Sequence, residues 1–474
     1  MSRHYLLQSA LLAEGWARDV LVGVADDGCI TEIQGEAPRV SAAAANAETV
    51  SGMVVPGMAN AHSHAFQRAM AGNTEYRLSA KDSFWTWRQA MYSLANRIEP
   101  EDLELLATQL FVEMLKAGYT TVAEFHYLHR RVDGERYAGA NALWDAIDAA
   151  AAAAGIGLTF LPTLYQTSDF GAQPLRSEQR RFAMETEDFL EKIEQRLRRE
   201  RQHSSRLGIA RTGAAFHSLR AVPLPVLREV ALALRAMHAD LPVHIHVAEQ
   251  VREVEACQLD SGRRPIELLL DAALLTEHWC LVHATHSTPE ELQGIADADA
   301  TVCLSISTEA NLGDGFFDAA RFLKFGGRIC VGSDSQSTVC PAEELRWMEY
   351  QQRLRKKRRG VLIDPSEPHV GTRLWRDAAQ HGAQAVGSQA GRIALGRRAD
   401  WLVLDAAHPS MAGAPAEFAL DHLLFAGGSA AIRDVMVGGR WVVRDHHHGH
   451  EDSLRERFAR LMARYQLTIP VYTA

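Results

Sequence analysis

Short apolar runs alternate with longer amphipathic stretches through most of this chain. Eight runs stand out: Val54–Ala61, Tyr119–Tyr127, Gly157–Tyr165, Leu207–Phe216, Leu241–Ala248, His278–Ala284, Ala300–Ile306 and Arg328–Gly332. Each has the length and composition of a strand buried on both faces, and the segments between them are helical in character. Alternating strands and helices point to a parallel α/β fold, and eight such units predict a (β/α)8 TIM-like barrel over residues 57–385. An open doubly wound sheet is the alternative. Neither G-x-G-x-x-G nor a P-loop follows an early strand, so that alternative lacks its usual support.

The two ends of the chain have a different rhythm. Near the start, DVLVGVADDGCITEIQG places Asp27-Gly28 as a hairpin turn between short strands. Near the other end, GRIALGRRADWLVLD (Gly391–Asp405) and AIRDVMVGGRWVVRD (Ala431–Asp445) repeat the strand, Gly turn, strand pattern. Residues 1–56 and 386–446 are therefore expected to form one small β-sandwich domain, with 447–474 as a C-terminal helical extension. The poly-Ala run Ala149–Ala154, closed by Gly155, is explained by helix propensity and a glycine cap. The His-rich DHHHGH (Asp445–His450) is expected to be a solvated turn rather than a metal site.

At 474 residues, 47% hydrophobic and 23% charged, the chain can bury one large core and a smaller one. Its net charge of -9 gives no general attraction to nucleic acid or anionic lipid. The basic runs RLRRER (Arg196–Arg201) and RLRKKRR (Arg353–Arg359) fall in helical segments and are expected on solvated faces. No basic-plus-apolar leader opens the sequence, and no apolar stretch reaches the ~20 residues of a membrane span, so a cytoplasmic protein is expected. The six cysteines, Cys29, Cys257, Cys280, Cys303, Cys330 and Cys340, form no C-x-x-C. Neither a disulfide framework nor a thiolate zinc knuckle is indicated, and several sit in apolar runs as small core residues.

Candidate chemistry lies where the apolar runs end. His62 and His64 leave the first strand at i and i+2, on one face of an extended chain. His246 follows the fifth run in LPVHIHVAE, His283 the sixth in WCLVHATH, and Asp334 the eighth in RICVGSDS. Barrel strands present their functional residues at this end, and imidazole and carboxylate are ligands for zinc and similar ions. One H-x-H among 21 histidines means little, but five matched placements form a site.

This order of residues resembles the amidohydrolase superfamily of metal-dependent barrels, through PGMANAHSH, HVAE, GSDS and the closing GRIALGRRADWLVLD. The resemblance implies His62, His64, His246 and Asp334 as metal ligands, His283 as a contact to the reacting group and Glu249 as a proton shuttle. Superfamily members with two metals usually bridge them through a carboxylated lysine on the fourth strand. LGIARTGAAF and GLTFLPTLY contain no lysine, so one divalent ion, zinc first, is expected. HSHAFQR, KDSFWTWR, EFHYLH and HSLRAV further resemble the formimidoylglutamate deiminase branch, which releases ammonia from N-formimino-L-glutamate in histidine degradation. That branch implies Gln67, Arg88, Tyr127, His217 and Arg220 as substrate contacts, and a homodimer. Paired arginines suit the two carboxylates of such a substrate, with Trp85 and Trp87 as apolar walls beside Arg88. A deaminase of purines, pyrimidines or related heterocycles on the same barrel is the competing reading, and a catalytically silent scaffold is a third.

Overall fold

The computed structural model describes residues 2–36, 46–75, 84–138, 141–202 and 209–465. Two sheets organise it. Strands β1 (Arg3–Leu12), β2 (Gly15–Val24), β3 (Ile30–Gln34) and β4 (Glu48–Pro56) come from one end of the chain. The next strands are β5 (Met58–Ser63), β6 (Tyr119–His126), β7 (Gly157–Leu164), β8 (Ala210–Thr212), β9 (Ala214–Phe216), β10 (Val243–Val247), β11 (Trp279–His283), β12 (Thr301–Leu304) and β13 (Arg328–Val331). They pair in sequence order as a parallel sheet, with β8 and β9 as two halves of the fourth barrel strand. The bridge between Ser63 and Asp334 brings the first and last strands together and closes the (β/α)8 barrel.

Two breaks in the strand pattern have local causes. The run Val54–Ala61 contains a change of sheet: β4 ends at Pro56 and β5 starts at Met58. Gly57 makes the transition, and a Cβ there would lie 2.3 Å from Thr120 Cγ2. The fourth strand is interrupted at Gly213, where a Cβ would meet Leu161 Cδ2 at 2.5 Å and the Pro242 carbonyl oxygen at 2.9 Å. The start of that run, Leu207 and Gly208, lies outside the described residues.

The second sheet joins both chain ends. After the barrel come β14 (Trp401–Leu404), β15 (Ile432–Val437), β16 (Arg440–Arg444) and β17 (His447–His448), and the order is β17-β16-β15-β14-β4-β1-β2-β3. Its own core includes Tyr5, Leu7, Val20, Val22, Trp401 and Met436, with Tyr5 and Trp401 edge to face at 5.5 Å. The sheet curls until its hairpins meet, since a Cβ on Gly28 would lie 2.6 Å from the Gly438 carbonyl oxygen. Of the expected pair of strands in GRIALGRRADWLVLD, Trp401–Leu404 forms; Ile393 and Arg398 make isolated bridges to Leu12 and Cys29.

The helix Ala142–Ala154 ends at Gly155 as expected, with φ of 78° and an amide bonded to the Ala151 carbonyl at 2.9 Å. In the His-rich segment most side chains are exposed, but His448 is buried and its Nε2 bonds the Ala154 carbonyl at 2.9 Å. That histidine fastens the end sheet to a barrel helix. The helix Glu451–Arg464 follows, and residues 466–474 lie outside the described residues. Among the described residues no helix is long and apolar enough to cross a membrane.

Arg398 joins the two sheets. It is fully buried, holds Asp400 through two bonds of 2.6 and 2.8 Å, and donates to the Thr121 hydroxyl of β6. Asp400 in turn accepts the Gly438 amide at 2.8 Å. Removing one partner of a buried pair leaves an uncompensated charge. Arg398→Met is expected to destabilise the protein by about 3–5 kcal/mol, and pairing it with Asp400→Leu should recover part of that loss. Thermal unfolding of the single and double variants checks this; a single variant with the parent melting temperature would contradict it.

Candidate active site

Barrel closure and site assembly use the same backbone. The Asp334 amide donates to the His62 carbonyl at 3.0 Å, and the His64 amide to the Asp334 carbonyl at 3.1 Å. Asp334 has φ of 46° and His283 of 70°, left-handed conformations that are costly for these residues and typical of functional sites. The fold thus spends strain on aiming these two side chains.

His62, His64, His246 and Asp334 converge, with one ligand-capable atom from each lying within 4.8 Å of all the others. His62 Nε2 and His64 Nε2 stand 3.3 and 3.4 Å from Asp334 Oδ1, and the Nε2 atoms of His62 and His246 are 3.0 Å apart. His64 Nδ1 donates to the Phe125 carbonyl and His246 Nδ1 to the His217 carbonyl, both at 2.8 Å. A carbonyl only accepts, so each Nε2 keeps its lone pair and turns it inward. Burial, reinforced by the neighbouring His62, pushes His64 down to about 3, and burial likewise holds His246 well below the usual histidine range. Neutral imidazoles beside a carboxylate are the donor set that fits a divalent ion.

Around this cradle, burial works against protonation of His283, but Glu249, Glu309 and Asp334 outweigh it and hold the ring up at about 10. Its Nδ1 lies 3.2 Å from Glu309 Oε1, and its Nε2 3.8 Å from Glu249 Oε1 and 3.7 Å from Asp334 Oδ2. Burial pushes Glu249 up to about 7, where a carboxyl group can both give and take a proton near neutral pH. A dication in the cradle would oppose both shifts.

One cavity carries the remaining candidates. His64, Gln67, Arg88, Tyr127, His217, Arg220, His246, Glu249, His283 and Asp334 all line it. Gln67 Nε2 donates to the Tyr127 hydroxyl at 2.9 Å, and Tyr165 stacks edge-on against His217 at 4.6 Å. Arg88 and Arg220 are 7% and 6% exposed, and among the described residues neither has a carboxylate within ion-pair distance. The Nε of each is buried without a hydrogen-bond partner. Trp87 lines the cavity with Phe84, whereas Trp85 lies under the Arg88 guanidinium at 4.3 Å. Lys81, Asp82 and Ser83 of that motif lie outside the described residues.

The sequence reading passed over several supporting groups. Glu124, inside β6, accepts the Ser63 hydroxyl at 2.9 Å and the Ala65 amide at 2.7 Å, and so shapes the turn carrying His62 and His64. Asn60 Nδ2 donates to the Ser333 hydroxyl at 2.7 Å, tying the first strand to the last. Asp314 lies beside Glu249 and His283 and accepts from Gln250 Nε2. Glu309 follows the seventh strand and could have been found by the strand-end rule that picked out His283. Within EFHYLH, His126 and His129 turn away: His126 Nε2 bonds the Leu128 carbonyl at 2.7 Å, and His129 Nε2 the Thr163 carbonyl at 2.9 Å.

A closed (β/α)8 barrel with three histidines and an aspartate gathered at the C-terminal ends of its strands defines a metal-dependent hydrolase. Residues 53–442 match the amidohydrolase family model, and the chain belongs to that family. It is 49% identical to the formimidoylglutamate deiminase of Pseudomonas aeruginosa over 455 residues, covering 96% of this chain and 98% of that protein. An 8-oxoguanine deaminase of the same organism is 28% identical, over 89% of each chain. Among solved structures, an amidohydrolase from Brucella melitensis superposes with a TM-score of 0.89 at 40% identity, covering 98% of this chain and all of that one. An adenosine deaminase from Xanthomonas campestris with bound zinc has a TM-score of 0.79 at 19% identity over 98% of each chain, which speaks for the fold alone.

Replacing His246 with Ala removes one of four donors from the cradle. Metal analysis after dialysis should show affinity reduced by more than about 100-fold relative to the parent, with the fold intact by circular dichroism. Undiminished metal in that variant would rule His246 out as a ligand.

Proposed function

We propose that this protein hydrolyses N-formimino-L-glutamate to N-formyl-L-glutamate and ammonia. The observation that carries this reading is the pair of buried guanidiniums of Arg88 and Arg220, neither within ion-pair distance of a carboxylate among the described residues, in the cavity that also holds the four-donor cradle. Buried charges are ordinarily paired, so the cavity is built for a ligand that brings two negative charges. N-Formimino-L-glutamate brings two carboxylates for the arginines and a cationic amidine for Glu249. A flat neutral heterocycle would leave Arg88 without a counter-charge and Arg220 with only the more distant Glu253 and Glu249. The 49% identity to the Pseudomonas aeruginosa formimidoylglutamate deiminase supports the same choice over the heterocycle deaminases.

The residues divide the work as follows. His62, His64, His246 and Asp334 hold the ion, which supplies Lewis acidity and makes water a competent nucleophile near neutral pH. Asp334 accepts a proton from the water as it adds across the C=N bond of the formimino group. His283 hydrogen-bonds the tetrahedral carbon's oxygen, and Glu249 delivers a proton to the nitrogen. The C–N bond then breaks, ammonia leaves, and the hydroxyl proton passes to the Glu249 carboxylate as the carbon–oxygen bond becomes the formyl carbonyl. Gln67, Tyr127 and His217 position the glutamate part of the substrate between the arginines and the cradle. Zinc is the ion in this reading, histidine degradation the metabolic setting, the cytoplasm its location and a homodimer the assembly.

Metal-loaded protein should release ammonia from N-formimino-L-glutamate, and fully loaded protein that releases none would overturn the proposal. Arg88→Met and Arg220→Met should each lower kcat/KM by about 3 kcal/mol, roughly 150-fold, because one substrate carboxylate is buried unpaired. Near-parental turnover in both would favour a neutral substrate instead. Glu249→Gln should lower kcat by about 10²- to 10⁴-fold with KM near the parent value, measured by steady-state ammonia release; an unchanged kcat would remove Glu249 from proton transfer.

A further inference from the structure

Below the His246 layer, the barrel interior holds a second cluster of metal-binding atoms. Cys280 on β11, Cys303 on β12 and Cys330 on β13 bring their Sγ atoms within 4.8 Å of one another. All three are fully buried free thiols. Cys303 is directly opposite Cys330 in register, and Cys280 lies two positions before Val282, which is opposite Cys303. On the next strand, His244 of β10 is opposite Cys280. Four consecutive strands therefore contribute one group each.

The histidine is held as a ligand would be. Its Nε2 donates to the Ala385 carbonyl at 2.8 Å, which fixes the proton there and leaves Nδ1 as a lone-pair donor. That Nδ1 is buried, and its polar neighbour is the Cys280 thiol. Apolar residues usually fill the interior layers of such barrels, and a layer of valine or alanine would need neither sulfur nor imidazole. A thiol is a weak donor, so the Cys280 S–H leaves that buried nitrogen only weakly satisfied. Thiolates 2.3 Å from a tetrahedral zinc ion stand about 3.8 Å apart, within the spacing found here.

We propose that Cys280, Cys303, Cys330 and His244 Nδ1 form a second metal centre, a closed structural site for a thiophilic divalent ion such as zinc or cobalt. It lies about 7 Å along β10 from the His246 position, two residues at strand spacing. Because the site is sealed, the ion enters as the chain folds, with its cysteines binding as thiolates and releasing their protons. It offers no open position for water, so it stabilises the lower barrel rather than catalysing a reaction.

The test is full-length protein produced with cobalt in place of zinc. The expected result is two cobalt equivalents per chain and an intense near-ultraviolet thiolate-to-cobalt band. Zinc-grown protein should likewise show sulfur neighbours at about 2.3 Å in X-ray absorption. Cys303→Val, or Cys303→Ser if the first variant is insoluble, should bind one equivalent and lose the band. Parental protein that saturates at one equivalent without the band or the sulfur neighbours would overturn the proposal, as would a Cys303 variant retaining both. Neither readout involves the substrate, so the result is independent of the activity proposed above.

Discussion

The junction between the first and last barrel strands is the constraint on which the rest depends. The hydrogen bonds from Asp334 to His62 and from His64 to Asp334 close the barrel and set three candidate ligands against each other. Folding of the ring and construction of the site are consequently one event. Asn60 and Ser333 brace the same seam from below, and Glu124 braces the turn that follows. A change that opens the seam would disperse the donors before any chemistry was affected.

Electrostatics then divides the cavity into two regions. Around the cradle, burial keeps His64 and His246 neutral while Asp334 stays anionic; the burial cost to its carboxylate is outweighed by the hydrogen bond to His62 and by the charge of the neighbouring His283. Farther along, Arg88 rests on Trp85 and Arg220 feels Glu253 and Glu249 from a distance, and among the described residues neither has a carboxylate within ion-pair distance. The first arrangement suits a cation and the second a dianion, so the protein by itself is incomplete in both places. A metal ion and a dianionic substrate would each neutralise what the fold leaves uncompensated, which would tie affinity to the same residues that would carry the chemistry.

Much of this was legible in the sequence, because a barrel strand reports its own end. An apolar run buried on both faces stops where the chain reaches the mouth, and the next ionisable residue falls in the site. That rule located His62, His64, His246, His283 and Asp334. It could not show the change of sheet at Gly57, where the apolar run continues although the strand's partners change. It also could not assemble Cys280, Cys303 and Cys330, which are far apart in sequence and meet only through strand register. Asp314 lies beyond the first ionisable residue after its strand, Glu309, so its approach to Glu249 and His283 is a tertiary outcome. His126 and His129 show the converse: residues within a recognisable motif whose rings are used for packing and backbone bonds.

A dicarboxylate amidine filling the gap between the arginines and the cradle would complete both regions at once. The most direct measurement is a crystal structure of metal-loaded protein with a non-hydrolysable dicarboxylate amidine bound. The expected result is one substrate carboxylate within about 3 Å of each guanidinium and the amidine carbon facing the ion beside Glu249. Carboxylates turned to solvent, with Arg88 and Arg220 still unpaired, would contradict it.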